Sequence, residues 1–432
     1  MKAAALGVIA LTLALAYGIW YSYSVILVAL LAEYGWSRSL LAGAFSVFTL
    51  VHGFVSPVIG NLCARFRPLR VMAGGGLAMG LALFADSFIA SPTHLYLGFG
   101  VATALAVAGA GWVPALVHVQ REYHERPGFS IGIISSGVGV GMLLIVPLTQ
   151  LLIDAFGWRA AFRVLAVLSV AWIVPASLWM MRIRGQSPDL KPGSEPENKD
   201  QEKPGSDPKS TPATASMTLG EAMRTQVFWL LMAAFFFGNV GSQTLHVHQV
   251  AYLVDHGLAA IVAASVVSVV GLASIFGKAG GGWLSDRVER ELVYAAGIAV
   301  LASSAFVLLA LGAAPTRGGA YGYAVLLGLG YSVTAAITPA MVSDRFSGPH
   351  FGAIVGVLLI GNSVGSALGP WLAGRLYDST ASYTLAFTIA AIASVIAGAG
   401  AWHARTLRIR GQSPDSGSDA RGAASSPSAP PR

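Results

Sequence analysis

The sequence predicts an all-α membrane protein: twelve transmembrane helices arranged as two pseudo-symmetric six-helix bundles. Three observations predict it. Of 432 residues, 55% are hydrophobic and only 11% are charged. A soluble domain carries about 25% charged residues, so this chain lacks the charge to cover a soluble surface. Apolar stretches long enough to cross a bilayer core, which takes about 20 residues, recur twelve times. The second half of the chain also repeats the first. Composition excludes ordinary cytosolic enzymes and disordered or fibrous chains, and the single cysteine, Cys63, excludes a disulfide framework and a thiolate metal site.

The spans are predicted near 5–31, 39–63, 69–90, 93–119, 128–154, 159–181, 225–254, 259–284, 291–313, 319–343, 349–374 and 382–404. The first follows Lys2 and leads directly into further spans, so it reads as a membrane helix rather than a signal peptide. Ten-residue alternating strands, the mark of a membrane barrel, are not visible. Residues 1–181 form the first bundle and 223–404 the second. Between them, 182–222 includes KPGSEPENKDQEKPGSDPKSTPATAS, polar and without apolar periodicity, and is read as a disordered cytoplasmic linker. Residues 405–432 are read as a disordered cytoplasmic tail.

Charge sets the expected orientation. With the N-terminus in the cytoplasm, Arg38, Arg159, Arg163, Arg317 and Arg375 lie outside and Lys278 lies within a span. The other 27 − 5 − 1 = 21 Lys and Arg then lie inside. This positive-inside pattern places both termini in the cytoplasm. It also accounts for the net charge of +7 without nucleic acid.

The repeat is visible residue by residue. RIRGQSPD occurs at Arg182–Asp189 and again at Arg408–Asp415. Gly60-Asn-Leu-Cys-Ala-Arg65 aligns with Gly282-Trp-Leu-Ser-Asp-Arg287, and Gly137 and Gly141 align with Gly361 and Gly365. Parallel six-helix repeats predict two bundles that rock around a midplane site. With the twelve spans and the Gly282–Arg290 loop run, this pattern resembles the major facilitator superfamily. Glu33-Tyr-Gly-Trp-Ser-Arg38, Arg126-Pro-Gly, Phe156-Gly-Trp-Arg159 and His248–Asp255 are similar to bacterial monocarboxylate-transporter-like and oxalate/formate-antiporter-like members. The resemblance implies a multi-pass protein of the bacterial inner membrane that works without a cofactor and is read as a monomer. The acidic position of the loop motif is Ala64 in the first half. Asp286, Arg287 and Arg290 keep the motif in the second and are expected to form a gating loop.

Lys278, in span eight, is the one obvious charge inside the membrane. Counting back from Asp286 places it about 12 Å deep. Burying a lysine there costs at least ~2.5–3.5 kcal/mol, so it needs water, a counter-charge or an anionic substrate. No carboxylate lies clearly within a span, which leaves a small organic anion as the expected partner; snorkelling, or pairing with a span-end aspartate, is the rival. In the family that the chain resembles, an arginine usually follows the same glycine and holds a substrate carboxylate. Here Lys278 follows Gly277 and keeps the charge without the fork. The resemblance implies that an oxalate carrier would offer a second cation in span eleven; none appears between Ile354 and Gly374, which favours monoanions such as lactate or pyruvate. Symmetry carries Lys278 onto Ser56 and points His52, one turn back, into the same cavity. His52 and His248 are the candidate proton carriers, and His246 is read as a packing neighbour. Tyr331, Asn239 and Tyr17 complete the expected binding set. The expected activity is monocarboxylate:proton symport, with anion exchange as the alternative and a cation or drug exporter less favoured for want of an embedded acid. Gly361-Asn-Ser-Val-Gly365 matches a hydrolase nucleophile pattern. Its partner, Gly137-Val-Gly-Val-Gly141, has no serine, so helix packing is the better account of both.

Overall fold

A computed structural model describes residues 2–123, 127–184, 217–346 and 350–407. Apart from short connections they are helical, as a chain surrounded by hydrocarbon requires, because a helix satisfies its own backbone polar groups. In the first half come α1 (Lys2–Tyr34), α2 (Arg38–Arg65) and α3 (Pro68–Asp86). The fourth span is assembled from α4 (Pro92–Leu95), a π-helical stretch (Tyr96–Thr103), α5 (Ala104–Ala110) and α6 (Trp112–Glu122). The long α7 (Pro127–Arg184) ends this half. The second half has a short α8 (Leu219–Met223), then α9 (Gln226–Asp255), α10 (Ala260–Ser285), α11 (Arg290–Leu311), α12 (Arg317–Arg345), α13 (Phe351–Thr380) and α14 (Thr384–Thr406). Among the described residues, ten helices are long and apolar enough to span a membrane. One of these is α7, which Gly157 breaks into two spans with a φ of 78°. Adding the 29-residue α12 gives the twelve predicted segments.

Local signals explain most boundaries. Ser37, Thr225 and Thr316 cap the starts of α2, α9 and α12 with their hydroxyls, satisfying backbone donors that a helix leaves unpaired. The tight turns before α2 and α10 need left-handed backbone, supplied by Gly35 (φ 62°) and Gly257 (φ 89°). These two glycines stand 222 residues apart, the same offset as the loop motif. The break at Gly157 is held by Glu33, which accepts from Trp158 Nε1 at 2.5 Å and pairs with Arg159 at 2.7 Å. Two of the sequence segments used above to narrow the family therefore meet in one contact. Within the stretch predicted as linker, Thr218 and Glu221 form a reciprocal capping box at the start of α8. The segment 185–216 and the tail from 408 lie outside the described residues.

The halves repeat each other in their contacts as well as in sequence. A Cβ on Gly137 or Gly141 would fall 2.1 Å from the Ala10 or Ala14 carbonyl oxygen of α1. A Cβ on Gly365 would meet the Phe236 carbonyl oxygen of α9 at 2.2 Å, and one on Gly361 would strike Met232. The glycine runs thus bring backbones together, as small residues do in membrane helix pairs. We expect Gly141→Val to force α1 and α7 apart, lowering the midpoint of thermal unfolding in detergent; overpacking of this kind costs about 1–3 kcal/mol. An unchanged midpoint would refute the packing role.

Candidate functional site

The bundles meet along two seams, α2 against α13 and α7 against α10, which correspond under the repeat. Gly53 lies against Ser363 in the first, and Gly139 lies against Ile275 in the second; adding 222 or subtracting 224 carries one pair onto the other. Between the seams lies a cavity of about 250 Å³. Its walls come from both bundles: Tyr17, Trp20 and Tyr21 of α1, Thr49 and His52 of α2, Asn239, Ser242 and Gln243 of α9, Tyr331 of α12, and Asn362 and Ser366 of α13 among them. No lysine, arginine or carboxylate is among the described lining residues. Asn239 donates to the Phe235 carbonyl at 2.9 Å and to the Asn362 side-chain oxygen, and Ser366 donates to Asn239 at 3.2 Å. The His52 ring stands edge-on to Trp20 at 4.9 Å. Two wall residues carry buried polar atoms without a partner, the Trp20 indole nitrogen and the Gln243 side-chain oxygen. Buried polar atoms are normally satisfied, so a solute that accepts from Trp20 and donates to Gln243 would complete the wall.

Above the cavity, at the end away from the termini, the bundles are locked together. Arg38 pairs with Asp255 at 2.7 Å, donates to the Tyr383 hydroxyl at 2.7 Å and lies 3.9 Å over the Tyr377 ring. Asp378 accepts from the backbone nitrogens of Arg38 and Ser39 at 2.9 and 3.0 Å, so a carboxylate of one bundle caps a helix of the other. Ser46 continues the closure by donating to the Ala367 carbonyl at 2.5 Å. Nearer the termini, a Cβ on Gly352 or Gly356 of α13 would meet nothing within 4 Å.

The expected site residues divide accordingly. Tyr17, His52, Asn239 and Tyr331 come together in the cavity wall. Lys278 is not in that wall. Its ammonium crosses the α7/α10 seam and donates to the Ser135 carbonyl at 3.1 Å, with no carboxylate on it among the described residues. Its neighbour one turn back, Ser274, hydrogen-bonds Tyr331 of the wall, so about 6 Å of helix separates Lys278 from the cavity. His248 is placed in the upper lock: Nδ1 faces the Tyr383 hydroxyl and Nε2 the Pro370 carbonyl, both at 2.9 Å. In the loop motif, Arg290 donates to the Ala340 carbonyl at 3.1 Å and pairs with Asp344. Arg287 turns to the Trp283 carbonyl and ring instead of to Asp286. Sequence reasoning missed Trp20, Asn362 and the Arg38 lock. Trp20 and Asn362 carry no charge to mark them, and Arg38 stands out in the sequence only as an outward charge and as the end of the Glu33–Arg38 segment.

A family profile for the Major Facilitator Superfamily matches residues 9–322 and 252–429. The chain belongs to the major facilitator superfamily. Within it, the chain is similar to monocarboxylate transporter 13 of Bos taurus, 28% identical over 396 residues covering 90% of this chain and 85% of the relative. It is also similar to monocarboxylate transporter 4 of Rattus norvegicus, 26% identical over 369 residues, 85% and 75% of the two chains. Among solved structures, a bacterial homolog to the human lysosomal transporter Spinster, inward-facing and unoccupied, matches with a TM-score of 0.68 at 19% identity, covering 93% of this chain and 96% of the other. That likeness supports the fold. This superfamily member is therefore a multi-pass transporter of the monocarboxylate-transporter type, not an enzyme. The hydrolase-like motif agrees: Ser363 donates to the Leu359 carbonyl of its own helix at 3.2 Å.

Proposed function

We propose that the protein carries small monocarboxylates together with a proton, by alternating access, in a bacterial inner membrane with both ends in the cytoplasm. The inter-bundle cavity carries this reading. At about 250 Å³ it falls below the roughly 300–1,000 Å³ of drug-sized sites, which suits a solute of a few carbons. Its neutral hydrogen-bonding walls suit a solute with a carboxylate and an oxo or hydroxy group. Lys278 supplies the attraction for the anion. Its four-carbon stem is flexible and, released from the Ser135 carbonyl, can swing across one turn of α10 toward Tyr331. His52 faces the cavity and is the group to exchange a proton with it; His248 is committed to the lock.

Uptake of labelled lactate, pyruvate and acetate into proteoliposomes tests this, with and without an inward proton gradient. Accumulation that follows the gradient is the expected result. Uptake indifferent to the gradient but driven by anion trapped inside would replace symport by exchange.

A further inference from the structure

His246 lies behind the cavity wall on α9, with only 3% of its surface accessible. Its Nδ1 is 2.8 Å from the Ser242 carbonyl oxygen, which can only accept, so Nδ1 holds the ring proton. The other nitrogen, Nε2, is then a bare lone pair, and among the described residues nothing bonds it. A histidine that merely packs would not leave a buried acceptor unsatisfied, because desolvating such an atom costs about 1–3 kcal/mol. The ring sits where both bundles meet, edge-on to Tyr331 of α12 at 4.7 Å and tilted against Tyr21 of α1 at 5.3 Å. Both tyrosines line the cavity.

The titratable groups around it are few. Tyr21 faces it from α1, with Tyr17 beyond, and Tyr331 faces it from α12. On α11, Tyr294 gives its hydroxyl to the Ala234 carbonyl. On α10 the nearest cation is Lys278, bonded to Ser135. On α9 itself, His248 turns to α13 and Tyr383. No carboxylate is paired with any of these tyrosines or with His246 among the described residues.

We propose that the Nε2 of His246 is the buried binding position of the coupling proton, occupied together with a carboxylate in the adjoining cavity. This deepens the symport reading and rests on it. The step adds one proton from water, entering past His52, to the Nε2 lone pair, and no other bond changes. A lone imidazolium between apolar helices is expensive, and so is a lone carboxylate beside it. Together they form a neutral pair, and each lowers the cost of the other by the same amount. With Lys278 a constant charge, empty and doubly loaded carriers hold the same net charge, whereas a carrier loaded with the proton or the anion alone does not. This is the condition for coupled transport.

The test uses reconstituted full-length protein and pyruvate. His246→Gln retains a polar side chain of similar reach but has no proton to exchange. It is expected to lose at least about tenfold of gradient-driven accumulation, a coupling loss of about 1.4 kcal/mol. Counterflow of labelled against unlabelled pyruvate, which needs no net proton movement, should persist at a reduced rate and so report a folded carrier. On the wild type, 15N-histidine spectra at about pH 6 should show the His246 Nε2 becoming protonated only when pyruvate is added. Full gradient-driven accumulation in the variant, or an Nε2 that stays unprotonated with pyruvate present, overturns the assignment while leaving symport intact. A wild-type protein that ignores the proton gradient overturns both.

Discussion

Replacing Lys278 by alanine is expected to raise the half-saturating concentration for monocarboxylate uptake by about ten- to a hundredfold, the effect of losing one contact to a charged group worth about 1.5–3 kcal/mol. Among the described residues the ammonium has one partner, the Ser135 carbonyl at 3.1 Å. A carbonyl dipole compensates a buried charge only in part. An incoming carboxylate is the better partner, and taking it means letting go of α7. Substrate binding would then loosen the one tie that crosses the α7/α10 seam at this level. At the corresponding place in the other half Ser56 bonds the His52 carbonyl of its own helix, so no equivalent tie exists there. Lys278→Arg should keep most of the affinity. Initial rates of lactate and pyruvate uptake across a concentration series, at matched protein incorporation, decide the matter. Wild-type affinity in Lys278→Ala would remove the lysine from the binding mechanism.

The second large effect concerns the upper lock. Arg38→Ala should shift the resting carrier away from the state sealed at the end remote from the termini. Arg38 connects α2 to Asp255, Tyr377 and Tyr383 of the other bundle. Breaking a fully buried ion pair costs 3–5 kcal/mol. The Asp255 side chain is 32% exposed, so solvent screening reduces the expectation to about 1–2 kcal/mol, still roughly a tenfold change in the population of open molecules. A cysteine at Ser46, beneath the lock, reports it. In a background with Cys63→Ser, a membrane-impermeant maleimide added from the remote side should label Ser46→Cys about tenfold faster once Arg38 is alanine. Equal labelling rates would show that the lock is held elsewhere, by the Asp378 cap on α2.

Much of this architecture is legible in one dimension. The lipid environment demands long apolar segments, so the spans could be counted. The repeat sets Gly35 and Gly257 at an offset of 222, as matched turns, and the glycine pairs 137/141 and 361/365 at an offset of 224, as matched helix contacts. Pseudo-symmetry with Lys278 points to His52, whereas Tyr17, Asn239 and Tyr331 are indicated by the resemblance, as neutral donors on helices that line the cavity in the superfamily. The same reasoning failed to distinguish neighbours on one helix. His246 and His248 are two residues apart, on different faces, and spacing alone does not say which face meets the other bundle. The structure sends His248 into the lock with both nitrogens engaged and leaves His246 with an open one beside the cavity.

By itself, then, the sequence indicated what a bilayer and an internal repeat impose: the apolar spans, their correspondence between the halves and the close glycine contacts. These are local or periodic properties, written in stretches of about 20 residues. Only the tertiary structure decided where each polar side chain ends: Lys278 on the Ser135 carbonyl, Arg38 among three residues more than 200 positions away, and His246 Nε2 without a partner. Lipid and protein are equally apolar to a helix face, so hydrophobic pattern leaves the bundle contacts undetermined, and a few directional polar contacts across the seams choose among the arrangements.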